Sequence, residues 1–166
     1  MKNSKEFGIT VDNLTYDFSE AVKRSRKVVR KLTTGVGFLL KKNNVELISD
    51  FASITGSNEI KLENSNKVMT ADNIIIATGS IFREFPNMPI DEKRVITSRQ
   101  ALELKEVPKS IAIVGGGATG IEFSYIFNAY GSKVTIIELA DRIINKEDKD
   151  VSKELTKSYQ NKGKVL

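Results

Sequence analysis

The sequence of 166 residues predicts an α/β fold with parallel strands, and three features carry that prediction. Residues 74–77 and 111–114 are continuous apolar runs, which are typical of strands buried on both faces of a parallel sheet. A glycine-rich segment, residues 115–120, follows the second run directly. A third apolar run, 134–137, comes after a stretch of helical length, so strand and helix alternate as they do around a parallel sheet.

The composition excludes several classes of function. The chain has no cysteine, so it has no disulfide, thiolate nucleophile or cysteine metal site. It also has no histidine, so the usual general base near neutral pH is missing, and we expect no metal site. No apolar run approaches the ~18–20 residues of a membrane span, and the polar start lacks the apolar core of a signal peptide. We therefore expect a cytoplasmic protein without a membrane partner. Any chemistry would belong to a bound cofactor or to groups that this sequence does not contain.

The first long element is predicted to be a helix from about residue 17 to Lys42, after an extended segment over residues 1–16. Asp17 and Glu20 have the spacing of a capping box, with aspartate in place of the usual serine or threonine. Apolar residues fall on one side of this helix and basic residues on the other. Residues 17–42 hold eight basic and two acidic residues, which indicates either a nucleic-acid footprint or a solvated helix face. We favour the solvated face, and so no nucleic-acid partner, because no nucleic-acid motif accompanies the charges.

Short strands joined by turns are predicted after this helix. Turn residues separate the expected strands, which therefore form a small antiparallel meander over 45–48, 51–55, 59–63 and 67–70. The apolar strand 74–77 comes next and ends abruptly at Thr78. Residues 81–110 contain all three prolines of the chain and form a loop-rich connection. We place a domain boundary in this connection, between residues 107 and 108.

The second half of the chain is predicted to form a strand–helix–strand unit followed by one more helix. The helix after the glycines is expected to run to about Tyr130 and to end at Gly131, where a left-handed cap is predicted. Glu138 closes the strand over 134–137. A helix over about 148–162 should end at Gly163, and residues 164–166 are expected to begin a third strand.

The glycine segment has the spacing of a dinucleotide-binding turn within its full strand–helix–strand context. Gly115 would allow the tight turn, Gly117 the close approach of a pyrophosphate, and Gly120 the packing of helix on strand. The pyrophosphate would face amides at the helix N-terminus, where the helix dipole favours negative charge. The alternative is a tight strand-to-helix turn that binds no ligand.

An acidic residue ends the strand that follows the helix. Glu138 comes after Gly120 at close to the ~20-residue spacing of the motif, so its carboxylate could accept hydrogen bonds from a ribose 2′-hydroxyl. The same charge would repel the 2′-phosphate of NADP, which favours NAD, although Arg142 nearby could soften the preference. Glu122 lies in the first helical turn after the glycines, and attraction to the helix dipole is enough to explain it.

These motifs together resemble the flavin-dependent pyridine nucleotide–disulfide oxidoreductases. The resemblance is carried by residues 74–80, Pro108, residues 111–122 and Glu138. Three further stretches, 24–29, 32–36 and 39–43, narrow it to the branch that oxidises dihydrolipoamide. The likeness covers essentially the whole chain.

The resemblance implies two Rossmann-like domains and their cofactors. Residues 1–107 would be the C-terminal part of an FAD-binding domain with its linker, and residues 108–166 the N-terminal part of an NAD-binding domain. The segment 77–80 would lie against the ADP part of FAD, and the backbone at residue 52 would read its adenine. The segment 115–122 would hold the NAD pyrophosphate, and residue 138 the adenosine ribose. The implied cofactor-binding residues are Ala52, Ala77, Thr78, Gly79, Ser80, Gly115, Gly116, Gly117, Ala118, Thr119, Gly120, Ile121, Glu122 and Glu138.

The same resemblance implies an activity that these residues do not complete by themselves. The whole enzyme would be a homodimer and would pass electrons from dihydrolipoamide on an acyl-transferase complex, through a disulfide and FAD, to NAD. The family's first GxGxxG, its CxxxxC disulfide, its histidine–glutamate pair and the lysine that pairs with the residue at Glu122 are missing. We therefore expect an internal fragment without catalytic residues, inactive alone. The alternatives are another disulfide reductase of the family or a nonenzymatic module that binds NAD or adenine nucleotides.

Overall fold

A computed structural model describes residues 4–10, 12–13 and 15–161 of the chain. Helices and strands alternate in the second half, and strands cluster in the first. The helices are α1 (Phe18–Lys42), α2 (Ser98–Ala101), α3 (Ala118–Ala129) and α4 (Lys149–Asn161). The strands are β1 (Ala52–Gly56), β2 (Glu59–Leu62), β3 (Lys67–Thr70), β4 (Ser110–Val114) and β5 (Lys133–Ile137). An antiparallel sheet of β1–β3 and a parallel pair of β4 and β5 confirm the predicted α/β class with a small meander.

The described chain divides into two compact units. The first unit contains the residues up to Ser25 together with those from Ile90 onward, and the second contains residues 26–89. The first unit therefore holds the glycine segment, and the second holds the meander. The units divide at two places along the chain, after Ser25 and after Pro89.

Helix α1 begins where its capping residue predicts. The Asp17 carboxylate accepts the backbone N–H groups of Ser19 at 2.8 Å and Glu20 at 3.3 Å. The Glu20 carboxylate, which was expected to complete a capping box, contacts the Lys23 ammonium at 2.6 Å. Ahead of the helix, Ser4–Phe7 form a turn of 3-10 helix where an extended segment was predicted.

The apolar side of α1 is covered only at its beginning. Phe18 is buried in the core of the first unit. Further along the same side, Leu32 and Val36 are more than half exposed. Periodicity is enough to predict this helix, but its burial depends on a partner surface, which the described part of the second unit does not supply.

The meander is a regular antiparallel sheet in the order β1-β2-β3. Ile60 lies opposite Ile54 on one side and opposite Met69 on the other. The register shifts between Ile54 and Gly56, as at a β-bulge. The Asp50 carboxylate fastens the β2–β3 turn by accepting the backbone N–H groups at positions 64 and 65, at 2.9 and 3.1 Å.

Two predicted strands are wrong. Residues 45–48 and 74–77 belong to no strand of the described chain. Ile75 is 90% exposed and Ile76 is 69% exposed, so the apolar run 74–77 is not a buried strand here. Such a run becomes a central parallel strand only where neighbouring strands bond to its edges, and the described residues provide none.

The strand–helix–strand unit forms as predicted. β4 and β5 pair in parallel, from Ser110 opposite Lys133 to Val114 opposite Ile137. Helix α3 connects them and buries Phe127, which is 1% exposed, in a core with Phe18, Ala101 and Val134. Gly131 follows the helix with φ +97°, which confirms the predicted left-handed cap.

The remaining segments agree with the sequence in part. Most of the connection over 81–110 is irregular, and the short helix α2 within it is capped by a reciprocal bond between Thr97 and Gln100. Helix α4 is described as far as Asn161, so the predicted end at Gly163 and the predicted strand 164–166 lie outside the described residues. Within the described ranges, no helix has both the length and the apolar character needed to cross a membrane.

Candidate functional site

The glycine segment forms a tight turn between the end of β4 and the start of α3. Gly115 has φ +108°, a conformation that side chains rarely allow, and its N–H donates to the Ile137 carbonyl at 2.8 Å. This bond ties the turn to the end of the neighbouring strand β5. The first glycine is therefore required by the backbone conformation itself.

Gly120 is required for a different reason, the close packing of α3 against the turn. A Cβ at this position would lie 2.0 Å from the Gly115 carbonyl oxygen and 3.3 Å from a methyl of Ile113. Neither the backbone oxygen nor the strand behind it can move away without opening the turn. The third glycine of the motif thus sets the distance between helix and strand.

Gly117, in contrast, is not required by the fold. Its φ of −74° is open to any residue, and a Cβ there would meet no atom of the described part of the chain within 4 Å. Gly117 is also the N-cap of α3, and among the described residues no side chain caps that helix end. The first helical N–H groups of an α-helix lack partners within the helix and attract anions. The open space beside Gly117 and this uncapped helix end together fit a pyrophosphate.

Glu138 follows β5 directly and lies against the glycine turn. One carboxylate oxygen accepts the Gly116 N–H at 2.6 Å, and the other accepts the Ala140 N–H at 2.9 Å. The hydrogen bond from Ala140, then that from Gly116, holds the pKa of the Glu138 carboxyl below its ordinary value, while burial acts in the opposite direction. A carboxylate has about four acceptor positions, so two hydrogen bonds leave room for a ribose hydroxyl.

The arginine near this carboxylate is engaged elsewhere. The Arg142 guanidinium donates to the carbonyl oxygens of Asn145 at 2.6 Å and Glu147 at 2.9 Å. These bonds fold the side chain onto its own loop. Glu138 is therefore the charged group that the described structure brings into contact with the turn.

The other residues expected near NAD lie in the first turns of α3. Ala118 and Thr119 are exposed at the helix start, and Ile121 is half-buried. The Ile121 N–H donates to the Gly117 carbonyl at 3.0 Å. Glu122 is exposed and borders an open groove of about 570 Å³ between α3 and α4. This groove is mostly apolar and is also bordered by Tyr125, Leu155 and Tyr159.

The residues expected near FAD lie in the second unit. Ala52 is the first residue of β1 and is exposed. Ala77, Thr78 and Ser80 are exposed in a segment without regular structure, where Gly79 has φ +75°. Ala52 and the segment 77–80 are thus accessible to a ligand, and both belong to the second unit.

A further set of contacts on the turn was not predicted from the sequence. The Ile144 N–H donates to the Gly116 carbonyl at 2.7 Å, and an Ile143 methyl lies 2.9 Å from where a Gly116 Cβ would be. No known motif marks these two residues. The only local signal is an apolar pair between the acidic end of β5 and the polar start of α4. Among the described residues, no cluster of acidic side chains could hold a metal ion.

Comparison with known proteins connects this geometry to one family. A family model described as pyridine nucleotide-disulphide oxidoreductase matches residues 3–165. The dihydrolipoyl dehydrogenase of Chlorobaculum tepidum is 45% identical over 165 residues, which are 98% of this chain and 35% of that protein. The chain spans about a third to a half of the length of the first curated relatives that it matches.

Solved structures agree with the fold. The HOCl-induced flavoprotein disulfide reductase RclA of Escherichia coli superposes with a TM-score of 0.79 at 29% identity. That match covers 91% of this chain and 35% of RclA. LpdA of Mycobacterium tuberculosis superposes with a TM-score of 0.86 over 99% of this chain and 37% of its own. Its identity of 23% supports the fold alone.

Proposed function

Because this chain belongs to the pyridine nucleotide-disulphide oxidoreductase family, we propose that it is part of an NAD-dependent, FAD-containing dihydrolipoyl dehydrogenase. The observation that carries the proposal is the glycine turn between β4 and α3, with Glu138 against it. Relatives named dihydrolipoyl dehydrogenase, up to 45% identical, support the choice of activity. In this proposal residues 108–166 form the first part of an NAD domain, and residues 1–107 the later part of an FAD domain with its linker.

NAD would bind at the turn through its pyrophosphate and adenosine ribose. The first N–H groups of α3 would face the phosphate oxygens, and the absent side chain of Gly117 would leave space for them. The Glu138 carboxylate would accept a ribose hydroxyl while still holding the Gly116 N–H. Ala118, Thr119, Ile121 and Glu122 would border the nucleotide.

NAD is favoured over NADP for an electrostatic reason. The lowered pKa of Glu138 keeps its carboxylate charged at neutral pH, and that charge repels a 2′-phosphate. The nearby guanidinium of Arg142 is bonded to two carbonyls of its own loop. We expect NADH to bind more tightly than NADPH, and Glu138→Ala to reduce the difference.

FAD would contact the second unit, through the Ala52 backbone and the segment Ala77–Ser80. When bound, FAD relays electrons between a dithiol and NAD, and the protein supplies position. The chain has no cysteine and no histidine, so its own residues bind and orient and do not react. The dithiol substrate in this proposal is dihydrolipoamide carried by an acyl-transferase complex, and the whole enzyme is a homodimer in the cytoplasm.

A second substrate class has one observation in its favour. The structural likeness to RclA, a flavoprotein disulfide reductase, keeps another disulfide as the alternative substrate. The dihydrolipoyl dehydrogenase relatives are more similar in sequence, at 45% against 29% identity. We therefore retain dihydrolipoamide as the proposed substrate.

Calorimetry with NADH tests the binding site. We expect heat of binding for the unaltered chain and its loss in Gly117→Asp, because a carboxylate would occupy the space of the pyrophosphate. Gly35→Asp is the matched control, since a Cβ at this exposed position of α1 also meets nothing within 4 Å. Absence of heat at millimolar NADH, or equal loss in both variants, would reject the proposed site.

A further inference from the structure

The segment after β5, residues 138–144, contacts the glycine turn through hydrogen bonds and a side-chain contact. Its Ile144 N–H donates to the Gly116 carbonyl at 2.7 Å, while Glu138 accepts the Gly116 N–H at 2.6 Å. The Ile143 side chain packs against the same residue, with a methyl 2.9 Å from the position of a Gly116 Cβ. Both polar groups and the face of Gly116 are therefore held by residues 138–144.

The conformation of this segment has to be stabilised by other contacts, because Ile144 adopts an unfavourable backbone conformation. Its φ is +42°, which a β-branched residue rarely adopts. Two side chains hold the carbonyls on either side of it. The Ser152 hydroxyl donates to the Ile143 carbonyl at 2.7 Å, and the Arg142 guanidinium donates to the Asn145 carbonyl at 2.6 Å.

Ser152 connects this segment to α4. It lies in the first turns of that helix and is only 1% exposed, so its hydroxyl has no access to water. The Ser152 N–H donates to the carbonyl of Asp148, the residue just before α4, at 3.0 Å. The backbone of Ser152 is held by α4, and its hydroxyl in turn positions the Ile143 carbonyl.

We propose that Ser152 is a positioning residue for the nucleotide site, acting through Ile143 and Ile144 on Gly116. This inference rests on the proposed function, since it concerns the same turn. Removing the hydroxyl leaves the buried Ile143 carbonyl unpaired, and the strained Ile144 peptide then relaxes. The turn loses its fixed Gly116 carbonyl, and the N–H groups beside Gly117 lose their alignment toward a pyrophosphate.

The test compares Ser152→Ala with Ser132→Ala in the full 166-residue chain. Ser132 is also buried, and its hydroxyl also donates to a backbone carbonyl, that of Pro108, but at the opposite end of β5. We expect Ser152→Ala to weaken NADH binding about two- to ten-fold, the value of one hydrogen bond. Ser132→Ala should lower the unfolding midpoint and leave the NADH dissociation constant of the folded chain unchanged.

A second readout needs no nucleotide. We expect Ser152→Ala to shift the ¹⁵N–¹H resonances of Gly116, Gly117 and Ile144, and Ser132→Ala to leave them in place. Unshifted resonances in Ser152→Ala, or equal NADH affinity in the two variants, would overturn the positioning role. If the unaltered chain binds no NADH, the proposed function fails, and these resonances alone decide the role of Ser152.

A third measurement covers the case in which Ser152→Ala does not fold. In the unaltered chain, NADH should slow hydrogen exchange at the Ile144 N–H. Binding at the turn and the hydrogen bond from Ile144 to Gly116 should stabilise each other. The Lys133 N–H, bonded to the Lys109 carbonyl at 3.0 Å at the far end of β5, is the internal reference. Exchange that slows no more at Ile144 than at Lys133 would contradict the proposal.

Discussion

Gly117 and Gly120 show at the scale of single residues that one motif contains two kinds of glycine. A Cβ on Gly120 would meet the Gly115 carbonyl oxygen at 2.0 Å, while a Cβ on Gly117 would meet nothing within 4 Å. The fold requires Gly120, whereas the backbone at Gly117 would accept other residues. The ligand that we propose at the helix N-terminus would occupy the space beside Gly117.

Gly120→Ala should destabilise the first unit strongly. The added methyl has to displace the backbone of the turn, and overpacking of this kind costs about 1–3 kcal/mol or more. Urea unfolding followed by circular dichroism would measure the loss. An unfolding free energy equal to that of the unaltered chain would show that helix and strand are not in close contact here.

Gly117→Ala should behave in the opposite way. The methyl enters open space at an ordinary φ, so the unfolding free energy should change by no more than ~0.5 kcal/mol. NADH affinity should fall, because the methyl lies where the phosphate oxygens would approach. Unaltered NADH affinity in this variant would place the ligand elsewhere.

Glu138 should make stability depend on pH. Its pKa is lowered in the folded chain, chiefly by the Ala140 and Gly116 N–H groups, so the carboxylate stabilises the fold above its unfolded pKa of about 4.3. That stabilisation should be lost as the pH falls through the lower, folded pKa. Glu138→Gln removes the titration, so the difference in unfolding free energy between the two proteins should shrink from pH 6 toward pH 3. A difference that stays constant over this range would contradict the assigned hydrogen bonds.

At the scale of elements, the start of α1 depends on one side chain. Asp17 accepts the Ser19 and Glu20 N–H groups, and the Ser19 hydroxyl, then the Glu20 N–H, lowers the pKa of this carboxyl. Asp17→Ala should lower the unfolding free energy, because the first N–H groups of α1 lose their side-chain acceptor. Asp17→Asn is the control, because an amide oxygen also caps a helix. Equal loss in both variants would indicate that charge, and not the cap, stabilises this end.

The elements also show what the sequence could and could not predict. Local signals located α1, α3, β4 and β5, because capping residues, the glycine turn and short apolar runs act on their immediate neighbours. The prediction of a buried strand at 74–77 was wrong, because burial of this run depends on strands beside it and not on its own residues. The contact between Ile144 and Gly116 was equally hidden, since it follows from a loop conformation that no residue type at position 144 indicates.

At the scale of the whole molecule, we propose that the residues of this chain bind cofactors and that the reacting groups of the enzyme lie outside it. It contains no cysteine to carry a disulfide and no histidine to act as a base. We therefore expect no NAD-dependent oxidation of dihydrolipoamide by the purified 166-residue chain, even with FAD added. A stopped assay for NADH checks this, with an active dihydrolipoyl dehydrogenase as the positive control. NADH formation that copurifies with the chain would contradict the expectation that its residues bind cofactors and do not catalyse the reaction.

Titration of the ¹⁵N-labelled chain with NADH tests whether the turn between β4 and α3 binds NAD, as we propose. We expect the resonances that move to lie in residues 115–122 and around Glu138, and NADPH at the same concentration to move them less. Resonances that stay in place at millimolar NADH, or that move only in the second unit, would contradict it.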